Sequence, residues 1–318
     1  MSDFPGHAVG SLESVWHYTT AEGLRGIVQS GVLWATSHRF MNDSEEPRYA
    51  TNVLRAAAAA VRVDVAEEHR ERFDRLMAWS ERSQLEAFLL CAALEHDLLT
   101  VWRGYGASVP YAIELDAREP LLPVEQVSGD EHPSPPSGWG PEVVDEDERG
   151  APIFAGDPDD LHLERDPWTP VKYDQAEALK RVRHIAELAT LKSDPFSDSI
   201  SPWMNLGGID LLQLKHPAFM DEREARMVFD VGPRWKFVKH RATRFGLTPY
   251  IEVSAVDERN YYEQEWGFVT QPAARRPIKS VHIGPSPLGD ESVFALREFL
   301  EFNGYPDTPV VKSETPFR

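Results

Sequence analysis

Hydrophobic residues along this chain follow two periods, one typical of short strands and the other of amphipathic helices. Apolar or alternating runs predict strands at 16–18, 33–36, 87–94, 111–115, 222–229, 249–253, 278–283 and 308–312. Apolar positions three and four residues apart predict helices between Thr19 and Gly31 and at 45–62, 65–82, 97–105, 174–191 and 291–302. We therefore expect an α+β fold, a single elaborated domain over 1–318 whose mixed or antiparallel central strands are flanked by helices.

Residues 117–170 interrupt this pattern. They carry 14 acidic and three basic residues, a net charge of −11, and 10 of the 25 prolines of the chain. Proline removes backbone donors and like charges repel each other, so we expect an acidic, proline-rich insertion that lies on the surface.

The net charge of the chain and its single cysteine limit the classes of function that are compatible with the sequence. The formal net charge of the whole chain is −19, which disfavours broad non-specific binding to nucleic acids. Because residues 171–318 carry a net charge of only −1, a pocket for an anionic ligand remains compatible with this total. With Cys91 alone, the chain can form neither an internal disulfide nor a multi-cysteine zinc site.

Membrane and targeting segments are not found in the sequence. The N-terminal residues lack a basic cluster followed by an apolar core, and the longest apolar run covers only 87–94. A bilayer span needs about 18–20 apolar residues. We expect a soluble, cytoplasmic protein with no membrane partner.

Compact motifs of several enzyme classes are also missing. The sequence has no G-x-x-x-x-G-K-[ST] loop, no G-x-G-x-x-G fingerprint, no H-E-x-x-H helix and no G-x-S-x-G elbow. These absences disfavour zinc peptidases, serine hydrolases and Rossmann oxidoreductases, and they leave enzymes with less compact motifs open.

The first group of candidate residues lies near the N-terminus. His17 and Thr19 share one face of a predicted strand, and Asn42 and Asp43 follow the next strand. Such side chains can bond to a sugar or a phosphate. The alternative is that they mark two helix starts, with His17 a satisfied polar residue.

The second group is a pair of aromatic residues. Trp102 and Tyr105 are three residues apart and share one face of a predicted helix, where they could hold a planar ring. Aromatic pairs at this spacing belong more often to a hydrophobic core.

The third group lies on a late predicted strand. Glu222, Glu224 and Arg226 alternate along it and share one face, while the residues of the other face, Ala225, Met227 and Phe229, supply the core side. Two carboxylates beside a guanidinium can stabilise a developing positive charge or activate a nucleophile. The alternative is an ordinary solvated strand face with one Glu–Arg pair.

Taken in order, these motifs resemble a mostly bacterial family called domain of unknown function 2971. The resemblance rests on H-Y-T at 17–19, L-W-A-T at 33–36, W-x-x-Y at 102–105, E-x-E-x-R at 222–226 and P-F-R at 316–318. Compared with the usual pattern of the family, this chain has one extra residue, Met41, before Asn42, and it has Ala93 at a position where the family usually has a serine. The resemblance spans most of the chain outside 117–170 and implies no activity.

The order H-x-T, aromatic, E-x-E also resembles the ADP-ribosyltransferase superfamily, including the DarT-like DNA-modifying toxins. The resemblance implies NAD as the substrate, with His17 and Thr19 holding it, Tyr105 stacked on the nicotinamide and Glu224 catalytic. Glu222 would orient or deprotonate the acceptor. We add Asn42 and Arg226 as cofactor-binding candidates, and we expect no metal ion in the site.

The sequence thus predicts an NAD-dependent ADP-ribosyltransferase or NAD glycohydrolase whose acceptor is protein, DNA, RNA or water. The same cleft could instead bind a nucleotide without turnover, as a sensing module in stress or phage defence. A metal-dependent hydrolase that uses Asp43, Glu46, Glu222 and Glu224 is a third alternative. A structural partner protein that contacts others through 117–170 is the fourth.

Overall fold

A computed structural model describes residues 12–41, 46–83, 87–104, 109–124, 143–146, 148, 152–154, 163–165, 167–191, 212–231, 238–243, 246–255 and 276–315. The helices that these residues form are α1 Ala21–Ser30, α2 Glu46–Arg62, α3 Glu67–Ser83, α4 Leu99–Gly104, α5 Ala176–Ala189 and α6 Asp290–Phe302. None of these helices is long and apolar enough to cross a bilayer. The strands are β1 Ser14–Thr19, β2 Val32–Ser37, β3 Ala87–Ala93, β4 Tyr111–Asp116, β5 Leu121–Pro123, β6 Val143–Glu146, β7 Pro152–Phe154, β8 Leu163–Arg165, β9 Thr169–Pro170, β10 Glu224–Val231, β11 Lys239–Thr243, β12 Gly246–Ala255, β13 Ser280–Ile283 and β14 Val310–Lys312.

Twelve of these strands form one mixed, mostly antiparallel sheet. Eight of them follow in the order β11-β12-β2-β3-β1-β4-β13-β14, in which the pair β13–β14 is parallel. β10 pairs with the full length of β3, from Glu224↔Ala93 to Asp230↔Ala87. The predicted α+β fold is confirmed.

The hydrophobic core has two large parts. In the first, one face of the sheet packs against α1 and α6 through residues such as Leu24, Leu33 and Leu296. In the second, α2, α3 and α5 pack on one another around Leu54 and Phe73. Burial of these apolar side chains supplies the main favourable free energy of folding.

Helix α1 begins one residue later than its capping pattern predicts. The N-cap is Thr20 rather than Thr19, and the Thr20 Oγ1 accepts the backbone N–H of Gly23 at 3.2 Å. The helix ends as predicted at Gly31, whose φ of 70° is the left-handed conformation that glycine adopts easily. Thr19 therefore stays in β1, with a buried side chain.

The strand predicted at 222–229 begins two residues later. Pro217–Glu222 form a 3₁₀ helix, and Arg223 then takes a left-handed φ of 48° before the strand starts at Glu224. Glu222 is therefore not on the strand. The predicted alternation holds within the strand itself, but the face that carries Glu224 and Arg226 is buried rather than solvated.

Both ends of the 117–170 segment are part of the sheet. Leu121–Pro123 pair with β12, and Leu163–Arg165 and Thr169–Pro170 pair with β10. Leu121 and Trp168 are buried in the core, so the surface position expected for these ends is wrong. Apolar residues there overcome the acidic and proline-rich composition. Much of the middle of this segment lies outside the described residues, and its interpretation as an insertion stays a prediction.

Gly284, which follows β13, lies very close to two other segments of the chain. This close packing gives a testable prediction. A methyl group on this residue would lie 2.7 Å from Pro110 Cγ, 2.9 Å from the Trp102 ring and 3.0 Å from the Pro110 carbonyl oxygen. The Trp102 ring is buried, and the Pro110 carbonyl oxygen accepts the backbone N–H of Gly284 at 2.8 Å, so a shift of either group costs packing or a hydrogen bond. We expect Gly284→Ala to lower the free energy of unfolding by about 1–3 kcal/mol in urea denaturation.

The matched control is Gly26→Ala in α1, where an added methyl group would meet nothing within 4 Å. Alanine is the better helix former, so we expect this control to leave the free energy of unfolding equal or higher. A Gly284→Ala protein as stable as the Gly26→Ala protein would contradict the packing described at Gly284.

Candidate functional site

The sheet has a gap between β1 and β2 along one edge of β3, and the candidate site lies in this gap. β2 pairs with the beginning of β3 through Thr36↔Leu89, whereas β1 meets its end through Trp16↔Ala93. Residues 90–92 of β3 thus lie between the two partners on this edge, while the other edge is paired with β10. Helix α1 connects β1 to β2 beside this gap.

A cavity of about 1230 Å³ occupies the gap. Its walls come from the end of β1, from α1, β2, β3 and α4, and from residues around the 3₁₀ helix at 217–222. Four of the predicted site residues lie in these walls: His17, Thr19, Glu222 and Glu224.

The four residues approach the cavity from opposite faces of the sheet. Glu224 and Trp16 are both paired with Ala93, so they share one face. His17 is the next residue along β1 and points to the other face, where α1 lies. The cavity reaches both faces because the sheet is open between β1 and β2.

The side chain of His17 bonds to the backbone of β3 at the edge that β1 and β2 leave unpaired. Its Nδ1 lies 2.9 Å from the carbonyl oxygen of Cys91. Because a carbonyl oxygen can only accept, Nδ1 carries the proton. Burial lowers the pKa of His17, and the positive charge of Arg276 lowers it further, so the ring is neutral near pH 7. The neutral ring keeps Nε2 as an acceptor for a ligand hydroxyl or amide.

The Thr19 hydroxyl lies close to Gly23, in the first turn of α1. A methyl group on Gly23 would collide with the Thr19 hydroxyl oxygen, so glycine at this position leaves room for that hydroxyl. Gly23 and Thr20 line the cavity as well. The end of β1 and the beginning of α1 therefore offer a hydroxyl, an imidazole and backbone groups within one short segment.

Glu224 is the centre of a buried ion cluster. Its Oε2 lies 2.6 Å from Lys215 Nζ, and its Oε1 lies 2.7 Å from Arg226 Nε. Burial alone would raise the pKa of Glu224, but the Arg226 guanidinium and the Lys215 ammonium, helped by the Cys91 thiol, outweigh burial and lower this pKa to about 2. Glu224 is therefore an anion at neutral pH and a poor proton acceptor.

Lys215 joins the two glutamates that the sequence singled out. Its Nζ also lies 2.6 Å from Glu222 Oε2, and the side chain of Glu222 is 34% exposed, compared with 8% for Glu224. The left-handed turn at Arg223 brings Glu222 beside Glu224 although Glu222 is not on the strand. Glu222 is the more accessible carboxylate of the pair.

Arg226 lies behind Glu224 and does not line the cavity. Its guanidinium bonds to both Glu224 carboxylate oxygens and to the carbonyl oxygen of Leu212. The side chain is 3% exposed. Its position suits the orientation of Glu224 better than direct contact with a cofactor.

Two predicted site residues, Tyr105 and Asn42, lie outside the described residues, as does Asp43. Trp102, the other member of the aromatic pair, belongs to the core: it is buried, and its ring centroid lies 4.4 Å from that of Tyr18. Its indole Nε1–H donates to Asp97 Oδ1 at 2.9 Å. The core alternative is confirmed for Trp102.

Sequence reasoning missed a second polar group in the cavity walls, formed by Trp34, Thr36 and Arg241. Trp34 and Thr36 lie on β2, and Arg241 lies on β11, which was not predicted as a strand. The alternation of Trp34 and Thr36 along β2 is a signal that they share a face. No sequence signal connects them to Arg241, more than 200 residues away.

No group of three or more histidine, cysteine, aspartate or glutamate side chains is placed to hold a metal ion within the described ranges. At Glu222 and Glu224, the Lys215 ammonium already occupies the position between the carboxylates. The metal-dependent hydrolase remains an untested alternative, because Asp43 lies outside the described residues.

Comparisons of the chain with models of protein families, with curated proteins and with solved structures give no match.

The lowered pKa of Glu224 predicts how stability depends on pH. The carboxyl group is more acidic in the folded protein, with a pKa of about 2, than at its ordinary value of 4.5. Its stabilising contribution is therefore complete above about pH 4.5 and is lost as the pH falls toward 2. We expect the difference in unfolding free energy between wild type and Glu224→Gln to shrink over this range in urea denaturation.

Glu301→Gln, on the exposed side of α6, is the control for this experiment. We expect it to follow the pH profile of the wild type. If the Glu224→Gln difference stays constant from neutral pH down to about pH 2, Glu224 does not titrate as the ion cluster requires.

Proposed function

We propose that the cavity binds NAD and cleaves the bond between nicotinamide and ribose, as an ADP-ribosyltransferase or an NAD glycohydrolase. One observation carries the proposal: His17, Thr19, Glu222 and Glu224, far apart in the sequence, line the same cavity. The choice of NAD comes from the order of these motifs, which resembles that of the ADP-ribosyltransferase superfamily. The acceptor class stays open between protein, DNA, RNA and water.

In this proposal Glu224 acts by its charge. Cleavage of the glycosidic bond gives the ribose an oxocarbenium-like positive charge, and a fixed carboxylate nearby lowers the free energy of that state. With a pKa of about 2, Glu224 stays ionised throughout the reaction. It accepts a hydrogen bond from a ribose hydroxyl and does not take up a proton.

Glu222 would handle the proton of the acceptor. As the carbon–nitrogen bond breaks, nicotinamide leaves with the bonding electron pair, and the acceptor oxygen or nitrogen forms a new bond to the ribose carbon. The proton of the acceptor passes to Glu222, which is one-third exposed and bonded to Lys215. His17 would accept a hydrogen bond through Nε2, and Thr19 would offer its hydroxyl.

A second candidate function is nucleotide binding without turnover, as in a sensing module. It is favoured by the pairing of the Glu224 carboxylate with two cations, Lys215 and Arg226. A carboxylate neutralised in this way stabilises less positive charge than a free one. In this reading the ion cluster shapes the cavity wall and performs no chemistry.

Release of nicotinamide from NAD separates the two candidates. If the proposal is correct, the wild-type protein releases nicotinamide, and Glu224→Gln slows release by about 100-fold or more because the fixed charge is lost. Binding of NAD, measured by calorimetry, should change much less. Release is measured with water alone and with protein, DNA and RNA as acceptors.

Glu114→Gln is the matched control, because Glu114 is also a strand carboxylate bonded by neighbouring side chains, Ser14 and Ser280, but does not line the cavity. It should keep the wild-type rate. NAD binding without release of nicotinamide would favour the sensing module. Absence of both would exclude NAD as the ligand.

A further inference from the structure

The cavity has a second polar end that the proposed chemistry does not use. At this end the Arg241 guanidinium lies 5.1 Å from the ring centroid of Trp34 and 5.7 Å from that of Tyr250. The guanidinium donates to Thr36 Oγ1 at 2.9 Å. The two aromatic rings are themselves in contact, with centroids 4.7 Å apart.

Arg241 has no carboxylate partner among the residues that the structure describes. Its Nε is buried without a hydrogen-bond acceptor, and burial lowers the pKa of the side chain. Lys239, two residues earlier on the same strand, is by contrast bonded to Glu252 at 2.7 Å. A half-buried guanidinium in a cavity wall, with no counter-ion among the described residues, is a site that an anion would complete.

Trp34 supplies a partly open ring at the same place. Its side chain is 46% exposed, although the ring contacts Tyr250 and Arg241. Exposed tryptophan in a cavity is a surface on which a planar ring can stack. A guanidinium, a hydroxyl and an open aromatic ring together are suited to a phosphate joined to a nucleobase.

The position of this second end relative to Glu224 fits a long ligand. Thr36 is paired with Leu89, and Leu89 with Val228, so these residues share the face that carries Glu224. Two strand spacings across the sheet and four residues along β10 separate Thr36 from Glu224, about 16 Å between Cα atoms. A ligand that contacts both ends must be elongated, as two nucleosides joined by phosphates are.

We propose that Arg241, Thr36 and Trp34 form a subsite for a nucleoside phosphate, in which the phosphate binds the guanidinium and the hydroxyl and the base stacks on Trp34. The ligand class follows from the proposed function, since this subsite would hold the adenosine half of NAD while the nicotinamide ribose lies beside Glu224. The phosphate and ring contacts rest on the geometry of Arg241 and Trp34 alone.

Calorimetry with ADP and with adenosine tests this subsite, because neither compound contains the nicotinamide ribose that Glu224 would contact. We expect ADP to bind the wild type, and Arg241→Gln to weaken its binding by about tenfold or more through loss of a charge-assisted contact. Adenosine should bind more weakly and equally to both proteins. Arg241→Lys should retain part of the affinity, since it keeps the charge but loses the fork of donors.

Lys239→Gln is the matched control, because it removes one positive charge from the same strand at a residue that is paired with Glu252 and does not line the cavity. It should bind ADP as the wild type does. Trp34→Leu should weaken ADP and adenosine alike. Thermal melting of each variant checks that the fold is kept.

Three results would overturn the subsite: no binding of ADP to the wild type, equal binding by Arg241→Gln, or an equal loss in Lys239→Gln. Failure of the proposed function is a different result. If ADP binds in an Arg241-dependent way but NAD is never cleaved, the subsite stands and the catalytic role of Glu224 falls.

Discussion

The buried carboxylate of Glu224 determines much of the surrounding structure, because an ionised group in this position is stable only with its charge matched and its oxygens bonded. Lys215 and Arg226 supply that match at 2.6 and 2.7 Å. Together they connect β10 to the chain before the 3₁₀ helix and, through the Leu212 carbonyl, to residues further upstream. Loss of one partner of such a cluster costs about 3–5 kcal/mol, since the other charges remain buried.

The division of the sheet gives this cluster access to a ligand. If β1 or β2 paired with the whole edge of β3, that edge would be closed and no cavity would join the two faces of the sheet. Instead β3 pairs with β2 at one end and with β1 at the other. Between these two partners, the His17 imidazole donates a hydrogen bond to the carbonyl oxygen of Cys91. The ion cluster and the Arg241 group then lie at two ends of one cavity. An elongated anionic ligand with aromatic rings, as we propose, would contact both ends.

Most of the elements could be predicted from the sequence, because their apolar periods are local. The helix that ends at Gly31 and the strand at 87–93 follow directly from such patterns. The start of β10 could not, since the left-handed turn at Arg223 has no glycine or asparagine to announce it. The sheet pairing at 121–123 was hidden by an acidic, proline-rich composition around three apolar residues.

The candidate site was predictable in part, for the same reason. His17, Thr19, Glu222 and Glu224 stand in short motifs that a reader can recognise along the chain. Arg241 matters because of what lies beside it in space, and a lone arginine in a sequence carries no sign of its neighbours. Burial of a charge is likewise a property of the fold, so the sequence could not decide between a site and a solvated strand face for Glu224 and Arg226, whereas the structure shows both side chains buried.

We propose that one ligand spans the cavity from the Arg241 group to the Glu224 cluster. The most direct measurement is a crystal structure of the protein with ADP-ribose bound. We expect a phosphate at Arg241 and Thr36, the adenine ring on Trp34, and the terminal ribose beside Glu224 and Glu222. ADP-ribose bound away from the cavity, or bound in it without contact to either Arg241 or Glu224, would show that no single ligand spans the two ends.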